Sequence, residues 1–573
     1  MMQLMKHVRD QMSAPGAPFE MRQVEVRGIT VREFIGAPAT MRDVWQMATA
    51  HDDALYVVYE DEHYTYAEIA AQVRSLAAAL VNTYGVKPGD RVAISMRNYP
   101  EWIVTYWAAV SIGAAVVGMN AWWTSPEMAY GLRDSQPQLL IVDTERLATV
   151  SSVLSDIRAE QPLPLIATRH QGELPDNAAL WSDIVSPETA PAHLPDVSID
   201  PDDDATIFYT SGTTGFPKGA QLTHRGSVTN LMNLAFMQTL SSLTLAAIDA
   251  ENGVEAAEPS AARVVSLAPT PLFHVTACNC GLHPITFVGG TIVLMRKWDA
   301  GRAIELIERE KITRSGGVPV MSRELLSHPD WQTRDVSSID GLSGGGAQVQ
   351  PDLVKKIHET GTIAPSTGYG LTETHGIVTA VASKFFTDKP ESCGPIVPTL
   401  DAKLIDENGN DLPVAAETTG ELCVRGSVVI KGYLNKPEAT AEAIQDGWFR
   451  TGDIARIDDD GFVFIVDRAK DMVLRGGENV YCSEVESAIF EHPAVAETVV
   501  FAVPDERLGE TVGACIVLEP GELMTVDEVQ AFVAERIARY KVPEHVWFRP
   551  DPLPRNANGK FVKRQVKAEL LGG

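Results

Sequence analysis

The sequence predicts an α/β fold with largely parallel sheets, followed by a smaller β-rich domain. Helical stretches such as residues 66–84 alternate with short apolar runs such as 91–95 and 138–142, which is the pattern of βα layers. After Gly420, short apolar runs separated by glycine turns replace this alternation. At 573 residues the chain far exceeds the roughly 100 to 200 residues of one domain, so we expect at least two domains and a large core.

Three segments define the expected domain organisation. Residues 1–40 precede the βα pattern and form an N-terminal extension. Residues 41–468 form the large domain, in which the Ala- and Glu-rich stretch 243–262 is interpreted as a surface insertion or a frayed helix extension. The charged string D-R-A-K-D at 467–471 marks the boundary to a C-terminal domain of residues 469–573.

The charge and the cysteine content disfavour several classes of protein. The chain carries 76 Asp and Glu against 48 Lys and Arg, and its formal net charge of −28 repels nucleic acid and anionic membranes at long range. Its six cysteines include Cys278-x-Cys280 but show neither zinc spacing nor a disulfide framework. The sequence has no apolar stretch typical of a signal peptide or a membrane-spanning helix. We therefore expect a cytoplasmic protein without a nucleic acid partner or an integral membrane segment.

The stretch 209–219, Y-T-S-G-T-T-G-F-P-K-G, has the composition of a polyphosphate-binding loop. Its glycines let backbone N–H groups approach an anion, its hydroxyl groups can donate to phosphoryl oxygens, and Lys218 adds a positive charge. A polar surface loop is the alternative interpretation. The stretch is not a Walker loop, because Pro217 precedes Lys218 and Gly219 stands where a magnesium-binding Ser or Thr is required. The loop predicts a nucleotide, but not an ordinary P-loop NTPase.

Three shorter motifs could complete a nucleotide site. Y-G-L-T-E at 369–373 offers an aromatic face for a base, a hydroxyl group for phosphate and a carboxylate for a divalent cation. S-G-G-G-A at 343–347 would let the backbone approach a flat purine, and T-G-D at 451–453 places a carboxylate where it could accept from ribose hydroxyl groups. Taken singly, a capped helix, a strand-to-helix turn and a simple turn explain these motifs equally well.

Lys560 is the candidate for a catalytic charge near the C-terminus. It follows Asn558-Gly559, a type I′ turn signal, so we expect it on a hairpin, where a lysine is usually a solvated charge. Between an attacking carboxylate and an α-phosphate, an ammonium group about 4 Å from each anion would supply roughly 4 kcal/mol of attraction at an effective dielectric constant of 20. Before desolvation, that attraction is a substantial part of a reaction barrier.

Taken in order, these motifs resemble the acyl-CoA synthetase branch of the adenylate-forming superfamily, which also contains luciferases, aryl-CoA ligases and peptide-synthetase adenylation domains. The resemblance runs from about residue 41 to the C-terminus and includes G-G-E-N at 476–479. Gln348 stands where proline is more usual, a change that backbone contacts to adenine should survive. The resemblance implies a large multi-sheet N-terminal adenylation domain and a small mobile α+β C-terminal domain.

The resemblance also assigns roles to individual residues. The residues that would bind ATP are Thr210, Ser211, Gly212, Thr213, Thr214, Gly215 and Lys218 at the phosphates, Gly345, Gly346, Ala347, Tyr369 and Gly370 at adenine, Asp453 and Arg468 at ribose, and Glu373 with Thr210 at Mg²⁺. Lys560 would drive adenylation and Thr372 would contact the α-phosphate. His274 would lie near the acyl carboxylate, although its spacing alone favours a buried structural histidine. Lys470 matches the hinge position, and Gly476 and Gly477 match the strand that lines the pantetheine tunnel.

The implied reaction has two steps. A carboxylate attacks the α-phosphorus of ATP, releases pyrophosphate and leaves an acyl-AMP anhydride; the thiol of CoA then attacks the acyl carbon and expels AMP. Positioning and charge neutralisation dominate such transfers, which suits Mg²⁺, Lys560 and the loop amides. Both steps would use one cavity, with the C-terminal domain rotating about Lys470 between them. The implied partners are a small carboxylic acid, ATP and CoA, and a homodimer is left open.

Two other classes of protein are alternatives. G-L-S-G-G at 341–345 matches the G-x-S-x-G nucleophile elbow of α/β-hydrolases, which would make Ser343 a nucleophile but leave the phosphate motifs unexplained. A non-catalytic nucleotide sensor would need neither Lys560 nor Glu373. Within the superfamily, no carrier-like domain accompanies the motifs, which favours a free acceptor such as CoA.

The acid is predicted from the residues after His274. The run V-T-A-C-N-C-G is small and mostly apolar, without a charge to meet an amino group, so an amino acid substrate is disfavoured. A medium- or long-chain fatty acid is the first expectation. An aryl or a bulky alicyclic acid, of terpenoid or steroid type, is the second.

Overall fold

The computed structural model of the chain describes residues 1–210, 217–254, 263–468, 471–475, 478–556 and 559–572, without the side chains of Glu478 and Asn479. The chain divides into two compact units. The first comprises Met1–Pro390, Ile396–Asp401 and Val424–Phe449, and the second Glu391–Pro395, Ala402–Cys423 and Arg450–Gly573. The chain therefore passes between the units several times, and the expected boundary between residues 468 and 469 stays a prediction.

The strands of the described residues are numbered β1 to β29 in chain order. They are Met21–Val26, Ile29–Phe34, Leu55–Tyr59, Glu62–Thr65, Arg91–Ser95, Ala115–Gly118, Leu139–Asp143, Leu165–Thr168, Ala178–Leu180, Asp204–Thr210, Lys218–Thr223, Val265–Ala268, Thr291–Leu294, Arg314–Gly317, Gly341–Gly345, Ala364–Tyr369, Thr379–Ala382, Gly394–Pro395, Asp401–Ile405, Asp411–Leu412, Thr419–Arg425, Ile444–Gln445, Trp448–Ile457, Phe462–Arg468, Val473–Arg475, Glu478–Val480, Val495–Asp505, Gly509–Leu518 and His545–Phe548.

The α-helices of the same residues are numbered α1 to α18. They are Met2–Met12, Met41–Ala48, Tyr66–Asn82, Pro100–Ser111, Ser125–Ser135, Thr144–Ser151, Leu154–Glu160, Trp181–Ile184, His224–Glu251, His283–Phe287, Ala300–Glu310, Pro319–Ser327, Pro351–Glu359, Ser383–Asp388, Pro437–Ala443, Cys482–Phe490, Val526–Ala534 and Lys563–Leu571. Short 3₁₀ turns lie at Thr49–His51, Pro187–Thr189, Pro329–Gln332, Thr372–Thr374 and Arg539–Lys541, and a π-helical turn lies at Cys278–Leu282.

Two mostly parallel sheets form the centre of the first unit. Their strand orders are β11-β10-β6-β5-β7-β8-β9 and β17-β16-β15-β14-β12-β13-β3-β4. Antiparallel pairs lie at the edges, where β11 joins β10, β17 joins β16 and β4 joins β3. The central strands β6, β7 and β13 are buried throughout, as expected of parallel strands covered on both faces. The predicted α/β architecture with parallel sheets is confirmed.

Local sequence signals place the helices on these sheets. The side chain of Thr65 accepts from the backbone N–H of Glu68, while the Glu68 carboxylate accepts from that of Thr65, so a capping box starts α3. Helix α3 buries Ile69, Val73 and Leu76 against the core. Each fully buried aliphatic side chain contributes about 1.5–3 kcal/mol of hydrophobic free energy.

Helix α9 is long and apolar enough, by length and composition alone, to cross a membrane. Its residues Val228, Leu231 and Phe236 are buried in the core of the first unit, and the core helix of a globular domain passes the same test. Residues 243–251 continue this helix, whereas residues 255–262 lie outside the described part of the chain.

Among its described residues, the second unit combines mostly antiparallel strands with three α-helices. One sheet, with the order β18-β24-β23-β21-β19-β20, takes most of its residues from this unit, and another has the order β26-β25-β28-β27 with β29 beside β28. Helices α16 and α17 cover an apolar core that contains Val485, Ile489 and Val512. The smaller α+β unit is thus confirmed, and its mobility stays a prediction.

Candidate functional site

Several of the predicted nucleotide-binding residues lie at the carboxyl ends of parallel strands in the first unit. Gly345 ends β15 and Tyr369 ends β16, and Gly345 pairs with Gly368 in the neighbouring strand. Gly346 and Ala347 follow β15 directly and are exposed. Open α/β sheets bind their ligands at this edge, so the topology brings the predicted adenine contacts together.

Two glycines in these motifs have different steric surroundings. A Cβ atom added at Gly345 would meet no heavy atom within 4 Å, so space for a flat ligand lies beside the end of β15. A Cβ atom added at Gly370 would lie 1.6 Å from the carbonyl oxygen of Gly376. The Y-G-L-T-E segment can therefore take this path only with glycine at position 370.

The ends of the polyphosphate loop lie in a β-hairpin. Thr210 ends β10 and Lys218 begins β11, and the two residues are opposite each other in the antiparallel pair. The Lys218 ammonium lies 4.9 Å from the ring centroid of Tyr433, a cation–π contact worth about 0.5–1 kcal/mol. Ser211, Gly212, Thr213, Thr214 and Gly215, the centre of the predicted loop, lie outside the described residues.

Glu373 lies beside the same tyrosine. It is the middle residue of the 3₁₀ turn Thr372–Thr374, and the Tyr433 hydroxyl group donates to its Oε1 at 2.9 Å. Burial and the nearby carboxylate raise the pKa of Tyr433, so the phenol remains a donor. Tyr433 thus joins Lys218 to the candidate magnesium ligand. No local signal in the sequence marks Tyr433, because its role depends on contacts with distant segments.

A segment of residues 428–434, here called the strap, holds this cluster against β11. The N–H of Gln221 donates to the carbonyl oxygen of Gly432 at 2.9 Å, and the N–H of Lys431 donates to that of Gln221 at 3.0 Å. The N–H of Leu434 donates to the Gly219 carbonyl oxygen at 2.8 Å. The strap therefore extends the β10–β11 hairpin by backbone hydrogen bonds to residues 219 and 221.

The residues at this position fit a magnesium ion bound together with nucleotide. In the part of the chain that the structure describes, no group of three or more His, Cys, Asp or Glu side chains could hold a metal ion. Mg²⁺ usually takes one or two protein carboxylates and completes its shell with water and phosphate oxygens. Glu373 lies close to Lys218, at one end of the predicted phosphate loop, and matches that arrangement. Thr210, at the other end of the predicted loop, carries a hydroxyl group.

His375 positions the turn that carries Glu373. Its backbone is left-handed, with φ of 56°, and its ring is fully buried. Nδ1 donates to the Val428 carbonyl oxygen at 2.6 Å, and Nε2 accepts from the Thr223 N–H at 2.8 Å. Burial lowers the pKa of His375 to about 3, so one neutral tautomer links the strap, β11 and the turn. The only signal in the sequence for this positioning role is that His375 directly follows T-E-T at 372–374.

Because the first unit buries His375, His283 and His224, we predict that it loses stability at mildly acidic pH. Burial lowers the pKa of His375 and His283 to about 3 and that of His224 to about 4. The folded state keeps them neutral while the unfolded state takes up protons below about pH 6.5, so stability is lost as pH falls through that value. The slope is about 1.4 kcal/mol per pH unit for each histidine.

The measurement is the thermal midpoint of the first unit's unfolding at pH 7.5 and at pH 5.5, where a lower midpoint is expected at pH 5.5. Replacing the exposed His193 by alanine is the matched control and should leave the pH dependence unchanged. Equal midpoints at the two pH values would contradict the prediction.

His274 lies in a turn that follows β12, at the carboxyl edge of the second sheet. Its ring centroid is 4.6 Å from that of Phe273. Asn98, a buried residue that follows β5 in the other sheet, accepts from the Leu272 N–H at 2.9 Å and donates to the Thr270 carbonyl oxygen at 2.9 Å. Asn98 therefore fixes the turn across the two sheets, a function that the sequence did not reveal. The role of His274 at the acyl carboxylate stays a prediction.

Ser343 does not have the geometry of a nucleophile elbow. It is the middle residue of β15, paired with Gly316 on one side and Ser366 on the other. An elbow needs the serine on a sharp turn between a strand and a helix. This position argues against the hydrolase alternative.

The predicted ribose ligands are neighbours in the second unit. Asp453 in β23 pairs with Arg468 at the end of β24, and Arg468 Nε lies 3.0 Å from Asp453 Oδ1. Asp453 is buried and Arg468 is exposed. Lys470, Gly476 and Gly477 lie outside the described residues.

Lys560 lies on a segment that folds back on itself in the second unit. Arg555 and Phe561 form an antiparallel bridge, and the Asn556 N–H donates to the Lys560 carbonyl oxygen at 2.9 Å. The Glu497 carboxylate accepts from the Leu553 N–H and from Arg555 Nη2, each at 2.6 Å. One carboxylate on β27 thus anchors the base of the segment that presents Lys560.

Comparisons with known proteins agree with this geometry. The family described as AMP-binding enzyme matches residues 44–434, and the AMP-binding enzyme C-terminal domain matches residues 484–560. The chain belongs to the family of AMP-binding enzymes. Within it, the chain is an ATP-dependent acid–CoA ligase of the AMP-forming type, which uses ATP, Mg²⁺ and CoA.

Named relatives cover nearly the whole chain. A feruloyl-CoA synthase of Amycolatopsis sp is 35% identical over 505 residues, which are 88% of this chain and 93% of that protein. A long-chain-fatty-acid–CoA ligase of Bacillus subtilis is 33% identical over 544 residues, 91% of this chain and 93% of that protein. The solved o-succinylbenzoate CoA synthetase of Bacillus subtilis, in complex with its acyl-adenylate, has a TM-score of 0.73 at 28% identity and covers 91% and 97% of the two chains.

Proposed function

We propose that this ligase activates an apolar acid with a single carboxylate, first of all a medium- or long-chain fatty acid. The observation that carries the proposal is the lack of charged side chains in the three chain segments that contain the carboxyl ends of β12, β14 and β15. Residues 264–295, 316–321 and 341–349 contain no Asp, Glu, Lys or Arg. An acid with a second charge would lose its hydration there without gaining a partner, which is costly.

An aryl acid or a bulky alicyclic acid of terpenoid or steroid type is the second candidate. The same uncharged segments suit it, and the 35% identical relative is named a feruloyl-CoA synthase. The 33% identical relative is named a long-chain-fatty-acid–CoA ligase, so the names of the relatives divide between the two candidates.

The predicted residue roles complete the proposal. Lys218 and the loop before it bind the phosphates that leave as pyrophosphate, Glu373 and Thr210 bind Mg²⁺, and Thr372 contacts the α-phosphate. His274 lies near the acid, and Lys560 bridges the acid carboxylate and the α-phosphate during adenylation. The remaining proposed contacts are adenine at Gly345, Gly346, Ala347, Tyr369 and Gly370, ribose at Asp453 and Arg468, a hinge at Lys470 and pantetheine at Gly476 and Gly477. Cytoplasmic localisation and a homodimer stay predictions.

A panel of acids tests the substrate class. Purified protein with MgATP and C6 to C18 fatty acids, aryl acids and alicyclic acids is expected to release pyrophosphate in an acid-dependent manner, and to form the thioester once CoA is added. Pyrophosphate release, AMP and acyl-CoA are measured for each acid. The best kcat/KM is expected within the C6 to C18 fatty acids.

Matched pairs of acids provide the control. Octanoate should exceed both octanedioate and 8-aminooctanoate by at least about tenfold in kcat/KM, because each added charge stays unpaired in the site. Equal activity on the charged acids would contradict an uncharged acid site. A preference for aryl or alicyclic acids would move the assignment to the second candidate, and adenylate without thioester would exclude CoA as the acceptor.

A further inference from the structure

The hairpin of β1 and β2 precedes the matched family range, which starts at residue 44. We propose that Arg27, at the tip of this hairpin, is a positioning residue for MgATP, acting through the strap on the Glu373 carboxylate. The inference rests on the proposed binding of Mg²⁺ by Glu373. It gives a function to a segment whose role the sequence did not indicate.

Arg27 contacts the strap directly. Arg27 and Gly28 form the two-residue turn between Val26 and Ile29, and both are left-handed, with φ of 49° and 78°. The guanidinium Nη2 of Arg27 donates to the Val429 carbonyl oxygen at 2.9 Å. A tight turn with two left-handed residues has one well-defined shape, so it holds the base of the arginine side chain in a definite place.

The contacts of the strap continue to the metal ligand. On one side of Val429, the Val428 carbonyl oxygen accepts from His375 Nδ1 at 2.6 Å. On the other side, the Ile430 N–H donates to the Glu373 carbonyl oxygen at 3.0 Å. Three consecutive strap residues thus engage Arg27, His375 and Glu373, so a displacement of the strap at Val429 moves the turn that presents the carboxylate.

The hairpin has anchors other than Arg27. Arg225 on α9 donates to Glu33 Oε1 at 2.6 Å, and Arg32 Nη2 donates to the Leu400 carbonyl oxygen at 2.7 Å. Because these contacts lie on β2, removal of the Arg27 side chain should leave the hairpin in place. The direct contact that the substitution removes is the one to the strap.

The experiment compares nucleotide binding by Arg27→Ala, Arg27→Lys and the full-length wild-type protein. Isothermal titration without acid is expected to show a Kd for MgATP raised about 5- to 10-fold in Arg27→Ala, and a change below about 2-fold for ATP in EDTA. Arg27→Lys should recover part of the loss. Thioester formation from supplied acyl-AMP and the thermal midpoint should stay at wild-type values.

Arg22→Ala is the matched control, because Arg22 lies on the same hairpin with an exposed side chain that pairs with Glu33 at 3.2 Å. It should bind MgATP like the wild type. Wild-type binding by Arg27→Ala, equal losses for MgATP and metal-free ATP, or a loss that follows a lower thermal midpoint would each overturn the inference.

Glu373→Gln, measured in parallel, tests the binding of Mg²⁺ by Glu373 separately from the role of Arg27. If this variant binds MgATP as tightly as the wild type, the metal assignment is wrong and the inference falls with it. A different result separates the two. If Glu373→Gln loses the preference for MgATP over metal-free ATP but Arg27→Ala binds MgATP like the wild type, the metal assignment stands and the role of Arg27 alone is overturned.

Discussion

Lys560→Ala is expected to slow acid-dependent pyrophosphate release by about 10² to 10³ or more, while thioester formation from supplied acyl-AMP stays at the wild-type rate. The proposed reason is that the ammonium group offsets repulsion between the acid carboxylate and the α-phosphate, and loss of one preorganised charge-stabilising group costs about that much. The thioester step transfers an acyl group to a thiol and needs no such bridge. Both half-reactions are measured in single-turnover experiments with the same enzyme preparation.

Lys567→Ala is the matched control for this variant. Lys567 lies on α18, seven residues beyond Lys560, and its loss removes an equal charge from the same part of the second unit. It should leave both half-reactions unchanged. An equal loss of both half-reactions in Lys560→Ala would contradict a role restricted to adenylation.

Gly370→Ala is expected to lower adenylation by about 10² and to destabilise the first unit by about 1–3 kcal/mol. The new methyl group would lie 1.6 Å from the Gly376 carbonyl oxygen, so the backbone of the turn with Thr372 and Glu373 must shift. A displacement of about 1 Å is enough to cost that much in rate when a catalytic group moves. The thermal midpoint and the rate of pyrophosphate release are the measurements.

Gly345→Ala provides the contrasting control. Its methyl group would meet no protein atom within 4 Å, so the thermal midpoint should stay at the wild-type value. The KM for ATP should rise, because the methyl group takes space that the proposed adenine contact needs. Wild-type stability and activity in Gly370→Ala would contradict the steric argument.

The fold class and the family were predictable because their signals are local. Alternation of helices with short apolar runs predicts parallel sheets, and parallel strands bring their carboxyl ends to one edge. Gly345 and Tyr369, from motifs more than twenty residues apart, therefore end neighbouring strands as the motifs require. Short glycine-rich motifs also occur along the chain in the order typical of the family, so the family resemblance could be recognised from the sequence.

The contacts that hold the site were not predictable, because they join segments far apart in the sequence. Tyr433, His375 and Asn98 have no periodicity or motif that separates them from ordinary core residues. Each makes its hydrogen bond to a partner more than fifty residues away, such as Val428 for His375 and Leu272 for Asn98. The division into units has the same cause, since residues 391–423 belong partly to each unit by contacts that no local pattern encodes.

The hydrogen bond between Arg27 and Val429 also bears on how the protein is made. Its partners are 402 residues apart in the chain. At about 5–20 residues per second, a ribosome adds Val429 about 20 to 80 s after Arg27. The hairpin tip therefore has no strap to bind during most of translation, whereas Glu373 is added shortly before the strap. The contacts of the strap with Arg27, His375 and Glu373 are therefore completed late in the synthesis of the first unit.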